Sequence, residues 1–326
     1  MLRWLVSALF LALPIGTTIG VLLGIQAINR ANGKPPPFTG GDDMGGLPGL
    51  GPLRGKDAVV MKCDVSEGIA SGTKDGLEFS LTANPWGWKQ GEPGNICLMA
   101  NLNGNRTYAT KWSAPAFNVT WQYPRASGTN NVHAFPNAKV MNKKFPVQAG
   151  SVKKLDFDVS WYLSLKNNTL TEVTDADVTT NAINANVAVD MFLDKDSTKA
   201  GKPESASHEV MVWLAYFGTD TFPIGKTSVA DKGLKTKTLN GTDFYLYYGQ
   251  NQVTKQKVLS WVASKPANTF KGSLLPLLDD IFASNNADYP TKTDHLGYFA
   301  FGQEAYSSTK NVTFSVPKLS VDLETS

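Results

Sequence analysis

The sequence predicts an all-β fold, a β-jelly-roll sandwich of two curved antiparallel sheets with one short helix, preceded by an N-terminal hydrophobic segment. Three observations carry that expectation. From Ala58 onward, short runs of alternating apolar and polar residues recur between clusters of Gly, Pro, Asn and Asp. No stretch repeats at a fixed period, which argues against solenoids and propellers. Only residues 272–284 carry helical spacing of apolar side chains.

Taken in order, residues 1–32 read as a signal-anchor or signal peptide. Residues 4–25 form an apolar run without a charge, and at about 1.5 Å per residue it can span the roughly 30 Å membrane core. It is either an uncleaved membrane anchor or, interrupted by Pro14, Gly16 and Gly20, a signal cleaved near Ala27 or Ala31. Both readings place the rest of the chain outside the cytosol, extracellular or membrane-anchored. Residues 33–57 are so rich in Pro and Gly that a flexible linker is expected. Residues 58–326 then form one folded domain, with strands expected at 58–65, 77–83, 96–103, 107–112, 116–123, 138–142, 152–163, 185–193, 208–217, 243–249, 256–264, 295–303 and 311–323. In the helical stretch, Ser273 is the expected cap, Pro276 fits the first turn, and Leu274, Leu278, Ile281 and Phe282 supply the apolar stripe. It is expected to pack on the convex face.

Composition bounds the function. A hydrophobic content of 42% with 18% charged residues suits a globular core, and a net charge of +3 in 326 residues gives no reason to expect nucleic acid as a partner. The two cysteines, Cys63 and Cys97, are either a disulfide, expected outside the cytosol, or two buried thiols. Sequons at Asn105, Asn118, Asn167, Asn240 and Asn311 are glycosylation candidates on a secretory route. The histidines, His133, His208 and His295, share no ligand spacing, so neither a metal nor a cofactor is expected. Gly-rich phosphate loops and G-x-S-x-G elbows are absent from the sequence. A monomer is expected.

Two strands carry acids in apolar surroundings. In residues 208–217, Glu209, Met211, Trp213 and Ala215 fall on one face by the period-two rule, with Val210, Val212 and Leu214 on the other. In residues 295–303 and just beyond, Tyr298, Ala300, Gly302 and Glu304 share a face while Phe299 and Phe301 point to the core. A third strand, 185–193, turns Asn186, Ala188 and Asp190 away from Val187, Val189 and Met191. Glu209 is either a half-exposed strand residue or a catalytic carboxylate. Two carboxyls on one concave sheet are what cleavage of a glycosidic bond requires, and Asp190 on a neighbouring strand could share a proton with Glu209.

Six segments in order resemble glycoside hydrolase family 12: NPWG at 84–87, NNVHAFPN at 130–137, ANVAVDMF at 185–192, HEVMVWL at 208–214, FYLYYG at 244–249 and FGQEAY at 301–306. The resemblance implies a retaining endo-β-1,4-glucanase or xyloglucan-specific endoglucanase whose partner is the polysaccharide. It implies Glu209 as nucleophile, Glu304 as acid/base and Asp190 as the acid assisting the nucleophile. It also implies substrate contacts at Asn84 and Trp86, the indole acting as a sugar platform, with weaker candidates at Asn131, Met211 and Tyr247 or Tyr248. Trp121 and Tyr123 match aromatic positions of the family, and either line the cleft or sit in the core. Trp88 has no counterpart there. Gln303, Ala305 and Pro85 depart from the family's usual Thr, Pro and Leu. The alternative of another class is a jelly-roll lectin that keeps an aromatic groove without turnover. Longer polar segments at 166–181 and 195–207 would reshape the binding subsites if they border the cleft.

Overall fold

The computed structural model describes residues 57–72, 76–125, 132–165 and 172–326. The expected anchor and nearly all of the linker lie outside the described residues, as do Asn131 and Asn167. Among the described residues no helix is long and apolar enough to cross a membrane.

The strands are β1 (Ala58–Cys63), β2 (Ile69–Gly72), β3 (Glu78–Thr82), β4 (Asn95–Leu102), β5 (Phe117–Gln122) and β6 (Asn137–Met141). Then come β7 (Val147–Gln148), β8 (Val152–Ser164), β9 (Asn184–Asp194), β10 (His208–Phe217), β11 (Lys235–Leu239) and β12 (Thr242–Gln250). The last are β13 (Lys257–Ala263), β14 (Thr269–Ser273), β15 (His295–Gly302), β16 (Ala305–Ser307) and β17 (Val312–Thr325). Helices are α1 (Asp175–Thr180), α2 (Ser197–Ala200) and α3 (Leu275–Phe282).

Two sheets form. The smaller has the order β1-β4-β5-β17-β8-β14, and the larger β11-β12-β13-β10-β9-β15-β6-β3-β2, with β16 pairing β9 and β7 pairing β15. Neighbours are antiparallel except β10 and β13, which run parallel. The sandwich closes through aromatic contacts between inner faces. Phe157 of β8 lies 5.3 Å from Phe301 and 6.3 Å from Phe299 of β15, and Phe301 lies 6.0 Å from Phe314 of β17. Each such fully buried ring contributes about 1.5–3 kcal/mol. At the centre of the larger sheet β9 is buried along its whole length. Val187, Val189 and Met191 enter the core, and Asn186, Ala188 and Asp190 take the opposite face.

Most expected strands lie within a residue or two of their observed bounds, but 107–112 is not a strand. Its backbone is drawn into a hydroxyl-bonded turn: Thr110 N–H donates to Ser113 Oγ (3.1 Å) and Trp112 N–H to Thr110 Oγ1 (3.1 Å). Two helices inside the polar segments escape the apolar-stripe test. For α1 the signal is a capping box, in which Thr174 and Asp177 exchange side-chain-to-backbone bonds. Helix α3 begins one residue later than the expected cap requires. Ser273 ends β14, its hydroxyl accepts from Leu275 N–H at 3.4 Å, and Leu274 is the capping residue. The stripe includes buried Leu277, and α3 touches both sheets: Trp261 Nε1 of β13 donates to the Leu277 carbonyl (3.1 Å) and Lys235 and Lys237 of β11 pair with Asp280 in the larger sheet, while β8 of the smaller sheet accepts from Leu274 N–H at the Leu155 carbonyl (2.9 Å).

Candidate active site

Pairing in the larger sheet brings the three acids together. Asp190 of β9 stands opposite Met211 of β10 on one side and Ala300 of β15 on the other. Glu209 stands opposite Phe192, so it is the diagonal neighbour of Asp190, within reach of a long side chain. Their carboxyls act directly on each other, and a proton on either one would make a hydrogen bond between them. Glu304 follows β15 and is tied to β9 through one residue. Asn186 N–H donates to the Glu304 carbonyl (3.2 Å), Asn186 Oδ1 accepts from Glu304 N–H (3.1 Å), and Asn186 Nδ2 donates to Glu304 Oε2. Tyr306 OH adds a second bond to Oε2 at 3.1 Å.

Burial is the first cause of every shift in this cluster. It raises Asp190 well above the ordinary carboxylate range, and the charges of Glu209 and Glu304 push it further. Glu209 is pushed up to about 8 by burial and then by the charge of Glu304, while its bond with Asp190 pulls it down. Burial also raises Glu304, against the bonds from Asn186 and Tyr306. One distribution relieves the repulsion. With one proton on Asp190, shared with Glu209, and a second on Glu304, the charge that opposes ionisation of Glu209 is gone. Both bonds to Glu304 land on Oε2, which leaves Oε1 for the proton.

Around these acids, Met211, Trp213, Ala188, Tyr247 and Val262 pack as one apolar floor, with Trp213 Nε1 aimed at Met211 Sδ (3.3 Å). Met211 is 5% exposed and Tyr247 3%. Trp86 is 63% exposed. Its loop is fixed where Asn84, in the left-handed region at φ 42°, accepts from Phe135 N–H (3.0 Å) and Gly87 N–H donates to the His133 carbonyl (3.0 Å). The 132–135 segment also pairs with β16 just after Glu304, through His133 N–H to the Ala305 carbonyl (2.9 Å). One strap therefore positions both the indole and the acid. Trp88, by contrast, is buried and donates to the Glu92 carbonyl.

For Trp121 and Tyr123, of the two readings the sequence left open, the core is the one observed. Both are fully buried, and Trp121 belongs to the smaller sheet. Trp121 Nε1 donates to Gln303 Oε1 (2.7 Å), and Tyr123 stacks on His133 at 4.7 Å. They support the acid-bearing segment from behind rather than line the cleft. Asn186 and Tyr306 were missed as site residues because neither is an acid. Their signal was positional: Asn186 shares the Asp190 face, and Tyr306 shares the parity of Glu304. Cys63 and Cys97 form a disulfide between β1 and β4. Among the remaining sequons, Asn105, Asn240 and Asn311 are exposed, but the Asn240 amide is already engaged, donating to the Lys271 carbonyl at 2.7 Å. No group of side chains among the described residues could hold a metal ion.

A sheet carrying a buried carboxyl cluster, with an exposed indole on a loop tied to the same strap, is the apparatus of glycosidic-bond cleavage, and the class it defines is the glycoside hydrolases. The sequence model of glycosyl hydrolase family 12 matches residues 77–324. The chain belongs to that family, whose cellulase- and xyloglucanase-type members share this jelly roll. Among solved structures it is similar to Trichoderma harzianum endoglucanase 3 (23% identity, TM-score 0.59, covering 81% of this chain and 98% of that one). The catalytic domain of Humicola grisea Cel12A, in complex with a soaked thio cellotetraose, is 19% identical with TM-score 0.60, over 81% and 99%. A Bacillus licheniformis family 12 xyloglucanase is 15% identical with TM-score 0.58, over 81% and 100%. No curated protein matches the sequence.

Proposed function

We propose that the protein is a retaining, endo-acting hydrolase of β-1,4-glucan chains, either unsubstituted or as xyloglucan, working outside the cytosol. The observation that carries this reading is the clustering of three carboxyls on one sheet, with Asp190 diagonal to Glu209 on neighbouring strands and Glu304 held to the same strand β9 by Asn186 and bonded by Tyr306. Once Glu304 takes up the proton that Glu209 holds at rest, Glu209 is ionised and attacks the anomeric carbon as the bond to the leaving oxygen breaks. Glu304 gives its proton to that oxygen, leaving a glycosyl–Glu209 ester. A water then attacks the same carbon, passes its proton to Glu304 and frees Glu209. Asp190 retains its proton and orients the nucleophile. Trp86 offers a flat apolar face for a sugar ring, and the disulfide favours an oxidising compartment.

The test is release of reducing ends from xyloglucan and from mixed-linkage β-glucan by the parent, Glu209→Ala and Glu304→Ala. Activity on at least one glucan should fall by about 10²-fold or more in each variant, with the anomeric configuration of the parent's first product retained. Binding without turnover in parent and variants alike would leave the lectin reading in its place.

A further inference from the structure

The cleft face carries two cations that bond cleavage does not use. Residues opposed in register share a face of a sheet. Reading across the larger sheet, Tyr247, Ser260, Met211, Asp190, Ala300 and Lys139 form one such row, from β12 to β6. Lys139 is therefore on the face of the carboxyl cluster, two strands from Asp190, or about 10 Å at the usual spacing between strands.

Its ammonium sits 4.8 Å from the centre of the Tyr298 ring. Tyr298 stands opposite Phe192 of β9, which stands opposite Glu209 of β10, so the ring belongs to the strand between β9 and β6. Burial pushes the Lys139 amine down, and among the described residues the one charge acting on it is Glu204, exposed on the loop before β10. Lys226, at the other end of the row, makes the contrast. Its ammonium is 5.0 Å from the Tyr247 ring, donates to Tyr247 OH at 3.2 Å, and pairs with Asp231 at 3.7 Å. One cation is matched and the other is half-buried without an ion pair among the described residues, a state that costs free energy until an anion arrives.

We propose that Lys139 is a specificity-determining residue that pairs with a carboxylate carried by the bound glucan, so that the cleft takes an acidic β-glucan in which some sugars are uronates. The proposal rests on the hydrolase reading above for its site and adds the charge of the substrate. The Tyr298 ring would hold the ammonium in place, and the ring-seated cation would meet a carboxylate on a sugar bound beyond the reacting one.

The experiment compares a β-1,4-glucan with the same glucan after partial oxidation of its hydroxymethyl groups to carboxylates. For the parent, Lys139→Gln and Lys139→Arg, kcat/KM is measured on both, and the affinity of both is measured on a Glu304→Gln background. The parent should favour the oxidised chain, Lys139→Gln should lower the oxidised-to-neutral ratio about tenfold in both kcat/KM and affinity, and Lys139→Arg should largely keep it. Raising salt should erase the parent's preference and leave the Gln variant's ratio unmoved. Equal ratios in parent and Lys139→Gln would overturn the proposal, as would an equal loss on both glucans, which would mean hydrogen bonding to hydroxyls. If neither glucan is turned over, the hydrolase reading fails, and the affinity ratio still decides the role of Lys139.

Discussion

Three carboxyls within one cluster cannot all ionise at neutral pH. Desolvation raises each, and every charge that forms raises the others. The cluster is thus arranged to carry protons where an ordinary surface acid would carry none, and that arrangement has a cost in stability. Glu209 moves from 4.5 in the unfolded chain to about 8 in the folded one. Below about pH 4.5 it is protonated in both states and no penalty arises. Between about 4.5 and 8 the unfolded chain ionises freely while the folded one must hold its proton, so stability is lost as pH rises. Glu209→Gln has no proton to lose. Its melting temperature should draw level with that of the parent near pH 4 and exceed it by several degrees at pH 8, as read by calorimetry. A gap that stays constant across that range would remove burial as the origin of the shift. The same substitution should abolish turnover, so stability and activity are expected to move in opposite directions at this position.

At the scale of an element, the segment that leaves β15 decides where Glu304 stands. Gly302 is the last residue of the strand, and an added Cβ there would lie 2.2 Å from the Pro136 carbonyl and 2.7 Å from Asn137 Cβ. The strand can approach β6 this closely only without a side chain. Gly302→Ala should therefore force the two strands apart, costing about 1–3 kcal/mol in chemical denaturation. Because Glu304 lies two residues on, kcat should fall as well, while binding through the Trp86 ring, whose loop is held by its own bonds to Phe135 and His133, changes less. Retained kcat with lowered stability would mean that the Asn186 bonds alone hold the acid in place. A second element, β1, is an edge strand with exposed Val59 and Met61, and the disulfide ties it to β4 directly across the ladder.

For the whole molecule, that bridge closes a loop with a sequence separation of 34. Loop-closure entropy makes such a link worth about 3–4 kcal/mol. Replacing both cysteines with Ala should lower the melting temperature by roughly 10 °C, with kcat little changed at temperatures where the domain stays folded. The bridge is in the smaller sheet, and the acids are in the larger one. A large loss of kcat in the folded double variant would show that the smaller sheet's edge shapes the cleft. The division of labour is visible in the packing. The smaller sheet supplies Trp121, and its neighbour Tyr123, as a backing for Gln303 and His133, and the larger sheet carries Asp190 and Glu209.

The local pattern by itself determined the fold class, nearly every long strand, and which of Asn186, Asp190, Glu209 and Glu304 share a face, because side-chain alternation has a period of two and needs no knowledge of partners. The six ordered motifs also determined the family. Only the tertiary structure decided that β9 lies between β10 and β15, which makes neighbours of acids far apart in sequence. It also decided that Trp121 and Tyr123 face the core rather than the cleft, since an aromatic residue reads the same on either side of a sheet. Asn186 and Tyr306 became visible as partners of Glu304 only once β9 and β16 were paired. The turn at 107–112 and the capping box of α1 went the other way, toward local hydroxyl bonds that compete with the ladder. Alternation is a property of one strand, whereas register, burial and proton sharing belong to pairs of strands, and pairing is settled by the closure of the whole sandwich.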